Sequence, residues 1–279
     1  MLAGVFGLRR ILGRARPGLS GLSGPPGPAP VTRPVWLVGD VHGRADLLEG
    51  ALAALRPPEG AAVVLLGDMI DRGPDPAGAL RIARSLPRRW PGVEGVALMG
   101  NHERMMLDFL DAPVQRGRRW LRHGGRETLQ GFGVDPGPPA AEPGPEALRA
   151  LREALRAAME PGLEGWLRAL PLLWRDGGLV AAHAGLDPLA PPEAQDEEAL
   201  LWGRTDFRRP RRDGLWVAHG HVVTAAPEIV PGRLGLDTGA WRTGRLTVAR
   251  LRPGEAPAVE RPAAPEASRG PHDGLPKAD

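Results

Sequence analysis

The stretch LLGDMIDRGPDP, residues 65–76, decides how the chain is interpreted. It begins as an apolar run typical of a buried strand and ends in two acids, Asp68 and Asp71, which Arg72 follows directly. Glycine and proline then mark a turn. The stretch therefore predicts a strand whose carboxyl end presents two acids and one base.

Strand-like and helix-like runs alternate on both sides of this stretch. Apolar runs of strand type occupy residues 35–39, 61–67 and 95–100, and runs with helical spacing occupy residues 44–56, 75–86 and 102–110. This alternation is typical of an α/β layered fold whose strands are buried on both faces. Further β-like runs occupy residues 178–185, 214–221, 227–237 and 244–251. They predict that the second half forms a β-rich sheet packed on the first.

Composition divides the 279-residue chain into three parts. Residues 1–33 and 252–279 are rich in Pro, Gly, Ala and Arg, and they predict a disordered leader and a disordered tail around a folded domain at residues 34–251. Within that domain, residues 112–145 contain Gly and Pro throughout and predict a loop-rich insertion. A strongly periodic helix is predicted to follow at residues 145–159.

The charge balance gives little reason to expect a polyanionic partner such as nucleic acid. The chain has 36 Lys and Arg against 33 Asp and Glu, a net charge of only +3. Its sequence pI near 10.6 reflects the lack of Cys and Tyr and a single lysine, because almost no group titrates between neutrality and the pKa of arginine. The absence of Cys also excludes disulfides, thiolate metal sites and cysteine nucleophiles.

No apolar run has the length of a membrane span. The longest uncharged run at the N-terminus, residues 1–8, is too short for a spanning helix or for a secretory signal with its flanks. A basic amphipathic anchor is one interpretation of the leader, and a poorly ordered segment is the favoured one. We therefore predict a cytoplasmic protein without a membrane span.

Clustered polar residues follow five of the apolar runs. They are Asp40 and His42, then Asp68, Asp71 and Arg72, then Asn101 and His102, then His183, and last His219 and His221. We expect them to converge, because ligands of open α/β sheets bind beyond the carboxyl ends of the strands. Asp, His and Asn without Cys suit Mn, Fe, Zn or similar divalent ions, and a carboxylate can bridge two of them. An isolated Asp at such a position is more often a helix cap, so the joint pattern carries the prediction.

Three of these clusters resemble the signatures GDxHG, GDxxDRG and GNHE of the calcineurin-like metallophosphoesterases. They stand here in order as GDVHG at 39–43, GDMIDRG at 67–73 and GNHE at 100–103. HAGL, GH and LDTGAW follow at 183–186, 220–221 and 236–241. Within that superfamily the chain resembles the phosphoprotein phosphatase (PPP) family, and the lack of tyrosine points to its bacterial serine/threonine phosphatase branch.

The resemblance implies a fold, cofactors and a role for each matching residue. It implies an αββα sandwich with two central β-sheets flanked by helices, and two divalent metal ions, with Mn favoured over Fe or Zn. Asp40, His42 and Asp68 would hold the first metal, and Asp68, Asn101, His183 and His221 the second. His102 would be the general acid and Asp71 its orienting carboxylate, while Arg72, Asn101 and, through the Trp-x-Arg motif in LLWGR, Arg204 would bind phosphate. His219 is an alternative last ligand, although the family's Gly-His motif favours His221.

These roles imply that residues 34–251 form the catalytic domain of a dinuclear-metal phosphomonoesterase. The leading hypothesis is a serine/threonine protein phosphatase, in which a metal-activated water attacks phosphorus and His102 protonates the leaving group. The substrate would be a phosphoprotein or a small phosphoester. One alternative is a diadenosine tetraphosphate hydrolase, although those enzymes carry GDLVARG and GNHD where this chain has Asp71 and Glu103. Another is a catalytically weak, metal-binding regulatory module.

Overall fold

Two five-stranded β-sheets pack face to face in the computed structural model, and helices cover their outer faces. The structure describes residues 27–28, 30–138, 140 and 142–260. The predicted disorder of residues 1–26 and 261–279 lies outside the described residues. The layered arrangement confirms the αββα sandwich that the resemblance implied.

The first sheet contains the strands around the opening motif. In the order β10-β9-β1-β2-β3 it comprises β1 (Val35–Val38), β2 (Ala62–Leu65), β3 (Glu94–Ala97), β9 (Val248–Leu251) and β10 (Ala258–Glu260). β1, β2 and β3 are parallel, and β9 runs antiparallel to β1. Side chains alternate along β1, so that Val35 and Leu37 face the second sheet while Trp36 and Val38 face the helices.

Helices follow the three parallel strands as predicted. They are α1 (Ala45–Ala54), α2 (Pro76–Ser85) and α3 (Asn101–Asp111). Asp75 caps α2, because its carboxylate accepts the backbone N–H of Gly78 at 2.8 Å, and Pro76 occupies the first turn of the helix. No helix among the described residues is long and apolar enough to cross a bilayer.

The second half supplies the second sheet, which confirms the predicted β-rich half. In the order β4-β5-β6-β8-β7 it comprises β4 (Leu173–Asp176), β5 (Leu179–Ala182), β6 (Trp216–His219), β7 (Glu228–Val230) and β8 (Arg233–Gly235). β5, β6 and β8 are parallel to one another. Leu200, on α8 (Glu197–Trp202), covers the outer face of this sheet.

The predicted loop-rich insertion at residues 112–145 is wrong for its first half, which is helical. α4 (Pro113–Trp120), a single π-helical turn (Leu121–Gly125) and α5 (Arg126–Gly131) run through it, before α6 (Pro145–Ala158) and α7 (Leu163–Arg168). Its glycines allow close packing, because a Cβ on Gly117 would lie 2.9 Å from Phe109 and one on Gly125 would lie 2.5 Å from the ring of Trp120. Glycine therefore marks tight contacts between helices in this segment, whereas the sequence pattern predicted a loop.

Three predicted boundaries also change. The run at residues 244–251 was assigned to the second sheet, but β9 pairs with β1 in the first. The tail predicted from residue 252 includes β10, which pairs with β9, and the leader predicted up to residue 33 includes Val31, which is buried, and Thr32, which donates to Asp176. The described parts of the leader and the tail are short and flanked by proline, so they show no periodic pattern that would predict ordered structure.

Candidate active site

Three parallel strands of each sheet end at one common edge of the sandwich. β1, β2 and β3 lead into Asp40, Asp68 and Asn101, whereas β5, β6 and β8 lead into His183, His221 and Asp237. Hydrogen bonds across the edge join the two sheets, such as that from the backbone N–H of His221 to Asp40 at 3.0 Å. The topology thus brings the predicted site residues together from both halves, with one exception, Arg204.

The backbone is strained where these residues lie. Only five non-glycine residues in the described ranges have positive φ, and all five are predicted site residues: His42, Asp68, Asp71, Arg72 and His221, with φ between 45° and 69°. Such conformations persist only where the surroundings enforce them, and they concentrate at functional sites.

Glu103 enforces part of this backbone geometry. Its buried carboxylate accepts the N–H groups of Asp68 at 2.9 Å, Met69 at 2.7 Å, Ile70 at 3.2 Å and Gly100 at 2.9 Å. Burial, together with the neighbouring charge of Asp68, raises the pKa of Glu103 to about 7. In the sequence, Glu103 indicates only a substrate class, because its structural role depends on backbone N–H groups of Asp68, Met69 and Ile70 that lie 33 to 35 residues away along the chain.

Asp68 lies between two groups of candidate metal ligands. His42, Asp68 and His102 offer ligand atoms that all lie within 4.8 Å of one another, and so do Asp68, His183 and His221. The carboxylate of Asp68 is 3.6 Å from His42 Nε2 and 3.4 Å from His183 Nε2. Although burial alone would raise the pKa of Asp68, the nearby histidines His183, His102 and His42 lower it. A shared carboxylate between two ligand groups fits a pair of bridged ions.

The hydrogen bonds of His183 test whether a cation fits. Its Nδ1–H donates to the carbonyl of Leu66 at 2.9 Å, which leaves Nε2 as an acceptor. That lone pair faces Asn101 Oδ1 at 2.8 Å and Asp68 Oδ1 at 3.4 Å, both of which are also acceptors. A protonated ring is disfavoured, because burial lowers the pKa of His183. A divalent cation between these atoms would satisfy all three, so the donor set fits a metal.

Asn101 and His221 complete the same group. Asn101 Oδ1 also lies 3.1 Å from His221 Nδ1, and burial lowers the pKa of His221 to about 4, which keeps its ring neutral. His219, the alternative ligand, belongs to neither group in the described ranges. Its Nδ1–H donates to the carbonyl of Gly220 at 2.9 Å, and its ring packs against Phe207. The geometry therefore places His221, and not His219, in a group of candidate metal ligands, as the Gly-His motif favoured.

Asp40 lies at the same edge but belongs to neither ligand group of the described residues. The ligand group around His42 and Asp68 contains His102, whereas the carboxylate of Asp40 accepts the backbone N–H of His221. Burial, Asp237 and Asp68 together raise the pKa of Asp40 well above its usual range. This concentration of buried acids at one edge is a further reason to expect bound cations.

His102 and Asp71 form a short, buried pair. His102 Nδ1 donates to Asp71 Oδ2 at 2.6 Å. Asp71 also accepts the hydroxyl of Thr128 at 2.6 Å and the indole N–H of Trp120 at 3.1 Å. Burial by itself would lower the pKa of His102, but the charge of Asp68 and the bond to Asp71 raise it. Thr128 and Trp120 lie in the segment predicted as a loop and were missed as site residues, although the stretch WLRHGGRET was a signal that could have identified them.

Arg72 connects this pair to the metal-ligand groups. Its guanidinium lies 3.0 Å from both His42 Nε2 and His102 Nε2, and since a guanidinium only donates, both nitrogens accept. Gly124 packs behind it with φ +114°, and a Cβ there would lie 2.7 Å from the backbone nitrogen of Arg72 and 2.8 Å from Asp71 Cβ. The glycine is therefore required for the close approach of the π-helical turn to the DRG turn.

Arg204 is the predicted residue that the structure does not bring into this cluster. It is exposed, and its guanidinium pairs with Asp196 at the start of α8. The Trp-x-Arg motif begins at the last residue of α8, but Arg204 lies on the loop that follows, so the spacing of the motif does not fix the direction of its side chain.

The sequence and fold are similar to those of known phosphoesterases. Residues 33–226 match the family model described as calcineurin-like phosphoesterase. Serine/threonine-protein phosphatase 1 of Salmonella typhimurium is 39% identical over 94 residues, which cover 33% of this chain and 39% of that protein. The symmetrical bis(5'-nucleosyl)-tetraphosphatase of Aromatoleum aromaticum is 32% identical over 175 residues, which cover 61% of this chain and 52% of that protein. The matched stretches thus span only part of each relative's length.

The fold is also found among solved structures. The crystal structure of the cold-active protein-tyrosine phosphatase of a psychrophile, Shewanella sp., superimposes with a TM-score of 0.51 at 16% identity, covering 82% of this chain and 80% of that one. At this identity the likeness concerns the fold alone.

Proposed function

Because the chain belongs to the calcineurin-like phosphoesterase family, we propose that it is a metal-dependent phosphomonoesterase that removes phosphate from serine or threonine side chains of proteins. The observation that carries this proposal is the 2.6 Å bond between His102 and Asp71, beside the ligand groups that share Asp68. An alkoxide is a poor leaving group and needs a proton, which an oriented histidine can supply. The resemblance to the protein phosphatase branch in Asp71 and Glu103 supports the same substrate class.

The metal ligands are assigned from the two groups together with the family resemblance, which adds Asp40 and Asn101 and gives His102 the role of acid. We assign one ion to Asp40, His42 and Asp68, and a second to Asp68, Asn101, His183 and His221. Bound there, two divalent ions, with Mn favoured, would supply Lewis acidity at the phosphate and lower the pKa of a coordinated water.

The protein's own residues supply binding and proton transfer. A phosphate group competes for the guanidinium of Arg72, which binds two of its oxygens in a fork and leaves the two histidine nitrogens. His102 Nε2 is then free to hold the proton that it donates to the departing oxygen. Asp71 keeps Nδ1–H fixed throughout and stabilises the protonated ring.

A dinucleoside polyphosphate hydrolase is the second candidate. The similarity to the symmetrical tetraphosphatase extends over a longer stretch than that to the serine/threonine phosphatase, which supports it. Asp71 argues against it, since GDLVARG lacks the second acid that holds His102 in this chain. The two candidates share the metal site and differ in the group that leaves.

A parallel assay of substrates tests the proposal. We expect purified protein to hydrolyse p-nitrophenyl phosphate only with added Mn, to lose activity with a chelator, and to prefer phosphoserine peptides to diadenosine tetraphosphate and cyclic nucleotides in kcat/KM. Asp68→Asn should be inactive on all of them. A preference for diadenosine tetraphosphate would support the second candidate instead. If the folded protein is inactive with Mn, Fe and Zn, the result would instead support a metal-binding regulatory module.

Removing the hydroxyl of Thr128 tests whether its hydrogen bond to Asp71 helps to hold the general acid, His102. In Thr128→Val, Asp71 loses one of its donors, so His102 is held less precisely, and we expect kcat on a phosphoserine peptide to fall by about tenfold with KM nearly unchanged. Thr32→Val is the matched control, because its hydroxyl also donates to a carboxylate, that of Asp176, at 2.7 Å. A similar fall in both variants would show that the effect is one of general stability.

A further inference from the structure

A loop rich in arginine borders the active-site edge on the side of the second sheet. This arginine loop, residues 203–213, lies between α8 and β6 and contains five arginines and two aspartates, which give it a net charge of +3. The whole chain also has a net charge of +3, so the charges outside the arginine loop balance. A local excess of one sign attracts partners of the opposite sign.

The arginine loop begins beside the candidate metal ligands. A Cβ on Gly203 would lie 3.3 Å from the carbonyl oxygen of Ala184, the residue that follows His183. Further along, the ring of Phe207 packs on that of His219, with 5.1 Å between the two centroids. The arginine loop therefore continues the active-site edge, and a molecule bound at the site can extend onto it.

A cavity of about 320 Å³ lies between the arginine loop and the loop after β5. Leu189 at its wall is 73% exposed, more than the other exposed large hydrophobic residues of the described chain. Apolar and guanidinium groups together form the walls, from Pro188, Leu189, Pro191, Arg209, Pro210 and Arg212. The leucine and the three proline rings make one apolar patch, which favours contact with a partner.

The two loops around the cavity are fixed to each other. Arg211, whose side chain is 7% exposed, donates to the carbonyl of Asp187 at 2.8 Å and to that of Ala190 at 2.9 Å. Gln195 Nε2 donates to the same two carbonyls, at 3.1 and 2.9 Å. The cavity is thus preformed, and a ligand does not have to order its walls.

Most arginines of the loop keep their charge uncompensated. Arg204 pairs with Asp196, and Arg211 pairs with Asp213. The exposed side chains of the loop that form no ion pair within the described ranges are those of Arg208, Arg209 and Arg212. Asp206 remains to offset one of these three charges, so the loop presents an excess of positive charge beside the cavity.

Arginines on the helical side of the first sheet differ from these. Arg156 on α6 and Arg168 on α7 both pair with Glu164, at 3.1 and 2.8 Å. Such pairing is typical of a solvated surface with mixed charges. The arginine loop lacks it next to an apolar cavity, which favours a binding surface over a merely soluble one.

We propose that the cavity and the arginine loop bind an acidic segment of the protein substrate, to one side of its phosphorylated residue. The inference rests on the proposed function and specifies which phosphoproteins the site takes. Carboxylates of the segment would pair with Arg209 and Arg212, because a planar guanidinium matches two carboxylate oxygens. An apolar residue beside them would cover Leu189.

The apolar wall favours a protein segment over a nucleic acid. The phosphates of a nucleic acid would match the charge of Arg209 and Arg212, but they would leave Leu189 and the proline rings uncovered. An acidic segment that also carries a leucine or valine matches both kinds of group. The partner is therefore identified by carboxylates and an apolar side chain together.

Two phosphoserine peptides test the proposal kinetically. They share the phosphorylated sequence, and a short glycine–serine linker joins it to a segment of Glu, Asp and Leu in one peptide and of Gln, Asn and Leu in the other. We expect the wild type to have a KM about tenfold lower for the acidic peptide, with kcat nearly unchanged, and to lose this difference in about 0.5 M salt. Arg209→Glu/Arg212→Glu should remove the difference, while p-nitrophenyl phosphate, which has no segment, is hydrolysed as by the wild type.

A matched charge reversal controls for the net charge. Arg116→Glu/Arg149→Glu changes two exposed arginines on α4 and α6 that form no ion pair in the part of the chain that the structure describes. It alters the net charge equally, on the other side of the sandwich, and should keep the preference for the acidic peptide. Loss of the preference in this control as well would overturn the role of the arginine loop.

Binding of the segment without phosphate gives a readout that does not depend on catalysis. The fluorescently labelled acidic segment should bind the full-length wild type, as measured by anisotropy, and Arg209→Glu/Arg212→Glu should abolish binding. Leu189→Ser should weaken it several-fold. Equally tight binding of a single-stranded oligonucleotide of the same charge would overturn recognition of a protein segment.

The two assays distinguish the possible failures. Equal KM values for both peptides in the wild type, without binding of the labelled segment, would overturn the docking of acidic segments and leave the proposed function intact. A wild type that hydrolyses neither phosphoserine peptide, although it binds the segment, would overturn the proposed function, and with it the inference about substrates.

Discussion

Replacing His102 with asparagine should lower kcat on phosphoserine peptides by about 10²–10⁴-fold and lower kcat on p-nitrophenyl phosphate far less. The reason lies in the leaving groups. Serine leaves as a strongly basic alkoxide unless it is protonated, whereas p-nitrophenolate is a stable anion that leaves without help. The 2.6 Å bond to Asp71 orients His102 for this donation, and asparagine has no proton to give at neutral pH.

The measurement is kcat for both substrates at saturating Mn, with metal content determined for each variant. His123→Asn is the matched control, because this histidine is exposed and its ring bonds the carbonyl of Arg119, outside the cluster. It should leave both rates near those of the wild type. Equal losses of His102→Asn on the two substrates, with metal content intact, would mean that His102 binds metal or phosphate and is not the acid. That result would also explain its place in the ligand group with His42 and Asp68.

The sequence predicts the strand-end part of the site because chemistry and topology coincide there. Asp68, Asn101 and His183 lie within four residues of the ends of β2, β3 and β5, and parallel strands bring their carboxyl ends to one edge whatever the loops do. His221 follows the same rule, two residues beyond the end of β6. For these residues the sequence pattern indicates both the residue type that belongs to the site and its position at the carboxyl edge of a sheet.

Residues that do not lie at strand ends could not be placed in this way. Arg204 carries the expected motif, but it extends from a loop and pairs with Asp196. Trp120 and Thr128, which hold Asp71, lie in a segment rich in glycine, where a glycine that allows close helix packing looks the same as one that ends a helix. Long-range pairing is equally invisible, so β9 was assigned to the wrong sheet. Sequence patterns describe a residue's own element, and these features depend on a partner far along the chain.

Glu103 gives the second large effect, this time on stability. Removing its carboxylate in Glu103→Ala would leave the buried N–H groups of Asp68, Met69, Ile70 and Gly100 without their acceptor. Each buried donor without a partner costs about 1–3 kcal/mol, and release of the cost of burying the acid, whose pKa is raised to about 7, offsets part of the sum. We expect the free energy of unfolding to fall by about 3–5 kcal/mol, as measured by chemical denaturation of metal-free protein.

Two further variants separate the hydrogen bonds from the charge. Oε1 accepts from Met69 and Ile70, and Oε2 from Asp68 and Gly100, so the amide of Glu103→Gln keeps one pair of bonds and opposes the other. Its loss of stability should be intermediate. Glu146→Ala, which changes an exposed glutamate in the first turn of α6, should alter stability little. A loss in Glu103→Ala as small as that of Glu146→Ala would mean that water replaces the carboxylate. The positive-φ turns at Asp68 and Asp71 would then be held by their own side chains, through the bonds of Asp68 to the backbone N–H of His102 and of Asp71 to Thr128.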